Sequence, residues 1–213
     1  MRWGLKQLGN LFCLDHLRHW GSEDVLEIGP GFNRYFANHL PAYCAYTALD
    51  APGFYDAEML GLMRSRMPRG EMVDGLIGDG GLEPESFDAC ISVSVLEHIE
   101  AADIAGACRD MFRILRPGGW SVHSIDLTIE QLRELPELWR AGLADAGFLL
   151  APAADGLELR PPGSEGDPPH TEPLAITMRF YGGYRPSVFG GEAPATGPVM
   201  HSVLVAARKP PAG

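Results

Sequence analysis

Two patterns take turns along the first 150 residues of this chain: short apolar runs rich in β-branched residues, and longer runs with apolar positions at helical spacing. "DVLEI", "AYTALD", "EMVDGLIGD", "FDACISVSV" and "WSVHSIDL" read as strands, the third ending at Gly78 and Asp79. "FNRYFANHL", "YDAEMLGLMRSRM" and "AADIAGACRDMFRIL" read as the helices between them, the last closed by Pro117, Gly118 and Gly119. A helix precedes the first strand, with Leu5, Leu8, Leu11, Phe12 and Leu17 along one face, and another covers "TIEQLRELPELWRAGLADAGF" with a kink or a split expected at Pro136. Such alternation predicts an α/β fold with a mostly parallel sheet wrapped by helices.

The texture changes after Phe148. "APAADGLELRPPGSEGDPPHTEP" is crowded with Pro and Gly and reads as a long surface loop, a candidate lid. "LAITMRFY" and "VMHSVLVAAR" regain strand character and are expected to finish the sheet as a hairpin-like pair. At 213 residues the chain suits a single domain, residues 1–213, with an N-terminal helical segment over 1–20 and a variable region over 151–198.

Charge narrows the partners. Lys and Arg total 17 against 28 Asp and Glu, so a nucleic acid held by phosphate contacts is not expected. No run reads as a secretory signal or a membrane span, which predicts a cytoplasmic protein that makes no membrane contact. Cys13, Cys44, Cys90 and Cys108 are scattered and read as buried reduced thiols. Cys13, His16 and His19 follow one another on a helix at a spacing that spreads them around the axis, so no metal site is expected.

In an open α/β sheet, ligands sit beyond the carboxyl ends of the strands. The turn in "VLEIGPGFNRYF" is such a place: Gly29 and Gly31 remove the Cβ atoms that keep a ligand off the backbone. Arg34 stands where a dinucleotide fingerprint needs its third glycine, which disfavours phosphate binding. Glu27 interrupts an apolar strand and needs a partner, either a ligand ammonium or the N–H groups of the turn. Asp50 ends the next strand about twenty residues on, where an acceptor for ribose hydroxyls belongs. Asp79, with Gly80 beside it, can accept from an exocyclic amine, and Ala51 or Leu82 can face an adenine ring. Together these residues describe a site for a cationic, ribose-bearing molecule without polyphosphate.

"VLEIGPG", "YTALD", Gly78–Asp79, "FDACISVSVLEHI" and "RILRPGG", in this order across residues 20–126, resemble the class I S-adenosylmethionine-dependent methyltransferases with a methyltransferase type 11-like domain. The resemblance implies a Rossmann-like, doubly wound, seven-stranded sheet whose last strand is antiparallel, with helices on both faces. It implies S-adenosyl-L-methionine as cofactor. Glu27, Gly29 and Gly31 would surround its methionine part, Asp50 its ribose and Asp79 its adenine amine, while Ser92 lines it through backbone. Asn33 stands where the family often has a further glycine, and tolerates unusual backbone angles.

The chemistry so implied is in-line methyl transfer to a small-molecule acceptor at oxygen or nitrogen, for which positioning is the main demand. A hydroxyl acceptor needs a base, and two histidines are candidates. His98 in "LEHI" is either that base or a helix-start residue; His123 in "SVHSIDL" is either a base facing the same cleft with Asp126 or a satisfied core histidine. The alternatives are a non-catalytic binding protein of the same fold and an NAD(P)-dependent oxidoreductase. Neither acceptor nor oligomeric state is encoded in a diagnostic pattern.

Overall fold

The computed structural model describes residues 5–31, 35–53, 70–128, 134–150, 176–179 and 201–213, with the single positions 56, 58, 61, 65 and 131. Helix α1 (Leu5–Trp20) leads into β1 (Asp24–Ile28), α2 (Tyr35–His39), β2 (Ala45–Asp50), β3 (Gly70–Asp74) and β4 (Phe87–Val93). Then come α3 (Ile104–Ile114), β5 (Leu115–Leu127), α4 (Leu135–Ala146), β6 (Leu149–Leu150), β7 (Ile176–Arg179) and β8 (His201–Arg208).

The strands form one sheet in the order β3-β2-β1-β4-β5-β8-β6, with β7 also on β8. β3, β2, β1, β4 and β5 are mutually parallel, and β8 runs antiparallel to β5 from Trp120↔Arg208 to Leu127↔His201. The β6 segment pairs with Arg208 and Ala207, the β7 segment with Leu204 to His201, both antiparallel to β8. The two therefore share one strand position beside β8. That makes seven strand positions from eight segments, and pairs "LAITMRFY" with "VMHSVLVAAR" as expected.

The central strands are buried on both faces, as a parallel sheet requires. One cluster lies under α3 and α4 and includes Leu26, Ile28, Leu49, Cys90, Met111, Trp139 and Val205; the other lies under α1 and α2 and includes Val25, Tyr46, Ala48, Ile91, Val122, Cys13 and Phe36. Helix α3 supplies Ile104, Ala107, Cys108, Met111 and Ile114 from one stripe. Its close neighbour α4 approaches through Gly142, where a Cβ would lie 2.9 Å from Cys108 Sγ. α1 comes close at Gly9, where a Cβ would meet Ser124 Oγ at 2.5 Å, and ends with Trp20 stacked on Trp120 at 3.6 Å.

Two local expectations change and a third is narrowed. β3 ends at Asp74 rather than at Gly78 and Asp79, because Gly75 turns the chain away after donating its N–H to Asp50 O at 2.9 Å. Pro117, Gly118 and Gly119 do not close α3, which stops at Ile114; they form a bulge inside β5, between the pairs Phe87↔Leu115 and Ala89↔Trp120. At Pro136 the run breaks and does not kink: α4 begins at Leu135, with Pro136 in its first turn, where its missing N–H costs no helical bond. "YDAEMLGLMRSRM", Arg34 and the loop over 151–173 fall outside the described residues, apart from Asp56, Glu58, Gly61 and Ser65 in the first.

Candidate functional site

The carboxyl ends of β1, β2 and β4 open onto a cleft of about 530 Å³. β1 delivers Ile28 and Gly29 to it, β2 delivers Leu49, Asp50 and Ala51, and the loop after β3 delivers Gly75 to Asp79. The 3-10 turn after β4 adds Val95, His98 and Ile99, and the start of α3 adds Asp103, Gly106 and Arg109.

Asp50 organises the rim. Its Oδ2 accepts from Gly31 N–H at 3.1 Å and its Oδ1 from Ala51 N–H at 2.9 Å, so one carboxylate joins the glycine turn to the end of β2. Gly29 sits at φ +61° and a Cβ there would lie 2.8 Å from the Val95 methyls; the turn is glycine partly because the wall of the cleft presses on it. Gly78, at φ +109°, donates to Asp110 Oδ2 at 2.9 Å, which ties the Asp79 loop to α3. Asp79 and His98 are exposed on the lining. Gly80 is also exposed, just beyond the cleft.

Four carboxylates (Asp50, Asp79, Glu100 and Asp103) face one guanidinium, Arg109, across this space, alongside the apolar Ile28, Leu49, Ile77, Val95 and Ile99. That donor set suits a ribose, an amine and a cationic centre with an aromatic ring on the apolar wall; a diphosphate would meet net negative charge.

Other expected site residues lie elsewhere. Glu27 is 2% exposed and accepts a hydrogen bond from the Tyr46 hydroxyl. Period-2 alternation puts Glu27 on the face of Val25, Tyr46 and Ala48, toward α1 and α2, whereas Ile28 and Leu49 face the cleft side. The hydrogen bond seen at its carboxylate is thus to Tyr46 and not to the N–H groups of the turn. Burial pushes its carboxyl up to about 8.

His123 does not face the cleft. It is fully buried, with Nδ1 2.8 Å from Ser92 Oγ and Nε2 2.6 Å from Ser121 Oγ. Burial pulls its pKa down to about 3, which makes it a weak proton acceptor, and both ring nitrogens are taken up inside; it is the satisfied core histidine. Ser92 is fully buried too, its hydroxyl committed to that ring. Asn33 lies outside the described residues.

Three side chains that sequence reasoning did not single out anchor the functional residues: Tyr46 holds Glu27, Asp110 holds the Asp79 loop, and Glu97 ties the His98 turn to β5. Tyr46 was detectable as a polar-tipped residue of "AYTALD" on the strand beside Glu27; Asp110 had no signal beyond being acidic on an apolar helix stripe. Among the described residues no group of His, Cys, Asp and Glu is placed to hold a metal ion, and no helix is long and apolar enough to cross a membrane. Cys13 is buried with Sγ near Ser92 O and Val122 O, and His16 Nδ1 lies 2.8 Å from Phe12 O.

Comparisons with known proteins agree with this architecture. No curated protein sequence matches the chain. Among solved structures, YcgJ of Bacillus subtilis superposes with a TM-score of 0.61 at 13% identity, covering 96% of this chain and 99% of its own. The N-methyltransferase NodS of Bradyrhizobium japonicum, bound to S-adenosylhomocysteine, gives 0.60 at 15%, covering 96% and 86%. The 1,6-didemethyltoxoflavin-N1-methyltransferase of Burkholderia thailandensis, with 1,6-didemethyltoxoflavin and S-adenosylhomocysteine bound, gives 0.59 at 17%, covering 97% and 78%. The family model for the methyltransferase domain matches residues 26–123, the stretch from β1 to β5 that builds the cleft. Residues 26–123 thus match the methyltransferase-domain family, and the fold built around them is the one these solved methyltransferases share.

Proposed function

We propose that this protein transfers a methyl group from S-adenosylmethionine to a small-molecule acceptor at oxygen or nitrogen. The observation that carries the reading is the cleft itself: carboxylates from the tip of β2, the loop after β3 and the segment leading into α3, around an apolar wall, at the end of the sheet where such folds bind ligands. In this reading Asp50 accepts from the ribose hydroxyls while holding Gly31, and Asp79 accepts from the adenine amine. Gly29 lets the methionine part press on main chain, and Ala51 flanks the ring with Leu49 and Ile77. The cofactor supplies a methyl already activated on a sulfonium, so the chain's task is to orient it and exclude water. His98, exposed on the lining after β4, is the group that would take a proton from an acceptor hydroxyl.

Support for a small acceptor comes from the neighbours: two are named N-methyltransferases, one with a small molecule bound. The test is calorimetry with S-adenosylhomocysteine and with NAD, followed by transfer of labelled methyl to a panel of phenols and amines. Binding of the first and not the second, with label transferred, is the expected outcome. A folded protein that ignores S-adenosylhomocysteine at millimolar concentration refutes the proposal, and binding without transfer to any acceptor favours a non-catalytic role.

A further inference from the structure

On the far side of the turn that carries His98 into the cleft, two carboxyl groups meet in the protein interior. Glu97 Oε1 accepts from Asp126 N–H at 3.2 Å, and Asp126 Oδ2 accepts from Ser94 Oγ at 2.6 Å. The other oxygen of each, Glu97 Oε2 and Asp126 Oδ1, is buried without a hydrogen-bond partner among the described residues. Burying a carboxylate with an oxygen unsatisfied is costly, and a proton held between the two groups would relieve that cost. We propose that Glu97 and Asp126 share a single proton and so form a clamp that positions the cofactor-facing turn after β4.

The surrounding geometry gives the clamp something to hold. Ser94, between β4 and the turn, sits at φ +56°, a left-handed conformation that a non-glycine residue adopts at a cost. Its N–H donates to Ser124 O at 2.8 Å and its hydroxyl to Asp126, so β5 pins the strained residue from two sides. From there the chain places Val95, His98 and Ile99 on the cleft and Leu96 in the core, leaving Glu97 to cross to the end of β5. The charges acting on Glu97 are Asp126 from β5, which favours the protonated form, and Lys6 from α1, which opposes it; burial outweighs both, and its carboxyl is pushed up to about 7. Proton loss would set two buried anions against each other and release the turn. Glu97 is a positioning residue here, since it touches the cleft only through His98 and Val95.

This rests on the cleft being the cofactor site, so the test reads folding and binding separately. Thermal melting from about pH 5 to about pH 8, and calorimetric affinity for S-adenosylhomocysteine, are measured for wild type, Glu97→Gln, Asp126→Asn and Glu97→Ala. Folded Glu97 titrates above its ordinary value, so the clamp's stabilisation is present at low pH and lost as pH rises through about 4.5 to about 7. Glu97→Gln keeps a donor in place at every pH, and its melting temperature should fall less than wild type's over that range. Asp126→Asn should flatten the same part of the curve. Affinity for S-adenosylhomocysteine should drop roughly three- to tenfold across the range in wild type, and by less in Glu97→Gln. Glu97→Ala should bind weakly throughout. A Glu97→Gln curve parallel to wild type, or a glutamine variant as impaired as alanine, overturns the shared proton. Flattened melting with no S-adenosylhomocysteine binding in any variant upholds the clamp and overturns the assignment of the cleft.

Discussion

Glu27→Gln is the substitution whose consequence can be worked furthest from the structure. Glu27 is 2% exposed, its titration is raised from 4.5 to about 8 chiefly by burial, and the negative charge of Asp50 adds to the rise. The Tyr46 hydroxyl acts the other way, by donating to the charged form. The folded chain therefore binds the Glu27 proton more tightly than the unfolded chain does. Stability contributed by that proton is complete below pH 4.5 and is lost as pH rises to about 8. At about 1.4 kcal/mol per pH unit, that loss is roughly 3 to 5 kcal/mol. For a chain of this length it corresponds to a fall in melting temperature on the order of 10 °C. Glutamine keeps an acceptor for Tyr46 but adds amide hydrogens that lack partners, a cost of about 1 to 3 kcal/mol at every pH. The diagnostic is therefore the slope and not the height: scanning calorimetry between about pH 5 and about pH 9 should show a shallower decline in Glu27→Gln than in wild type. Tyr46→Phe, which removes the one donor to the ionised form, should carry the decline to higher pH. Parallel curves for wild type and Glu27→Gln would refute the assignment of Glu27 as a buried, mostly protonated acid at neutral pH.

Asp50→Ala should weaken S-adenosylhomocysteine binding by about 1 to 3 kcal/mol, some five- to 150-fold in calorimetric Kd, because it removes an acceptor and frees the Gly31 turn. His98→Gln should lower kcat for a hydroxyl acceptor by about 10²- to 10⁴-fold while leaving the melting temperature near wild type, since the side chain is exposed. Gly142→Val should cost about 1 to 3 kcal/mol in chemical denaturation, because its Cβ would meet Cys108 Sγ at 2.9 Å and force α3 and α4 apart.

The sheet was legible because its signal is local and repeated: a run such as "FDACISV" buried on both faces has to be a central strand. Asp50 was legible for a related reason, since the end of the second strand is a fixed place in this architecture and the structure puts its carboxylate on the glycine turn. What could not be read was direction across the sheet. Glu27 and His123 each sit in strands whose alternation is masked by burial on both faces, so sequence showed that each was unusual without showing which face it took. A single residue of register decides it: Glu27 shares a face with Tyr46 and finds a hydroxyl, and His123 shares a face with Ser121 and Ser92 and finds two. The Pro117–Gly119 bulge misled in a different way, because the same residues that break an element also bend one.

The division of labour between the two faces follows from these placements. The polar groups that sheet burial obliges to pair (Glu27 with Tyr46, His123 with its two serines) find those partners in the interior. The groups proposed for chemistry lie where strands end and the backbone turns: Asp50 as the last residue of β2, Asp79 in the loop after β3, and His98 in the turn after β4. Each is held by a neighbour on another element, Asp50 by the Gly31 amide, the Asp79 loop by Asp110, and the His98 turn by Glu97 and Asp126. In the proposed reading the cofactor end of the site is cross-linked by three elements, and selection of the acceptor is left to the variable segments that follow β5. Changes in acceptor preference should therefore arise from those later segments without disturbing the carboxylates at the strand tips, and a variant that alters both together would show that the two parts of the site are not separable.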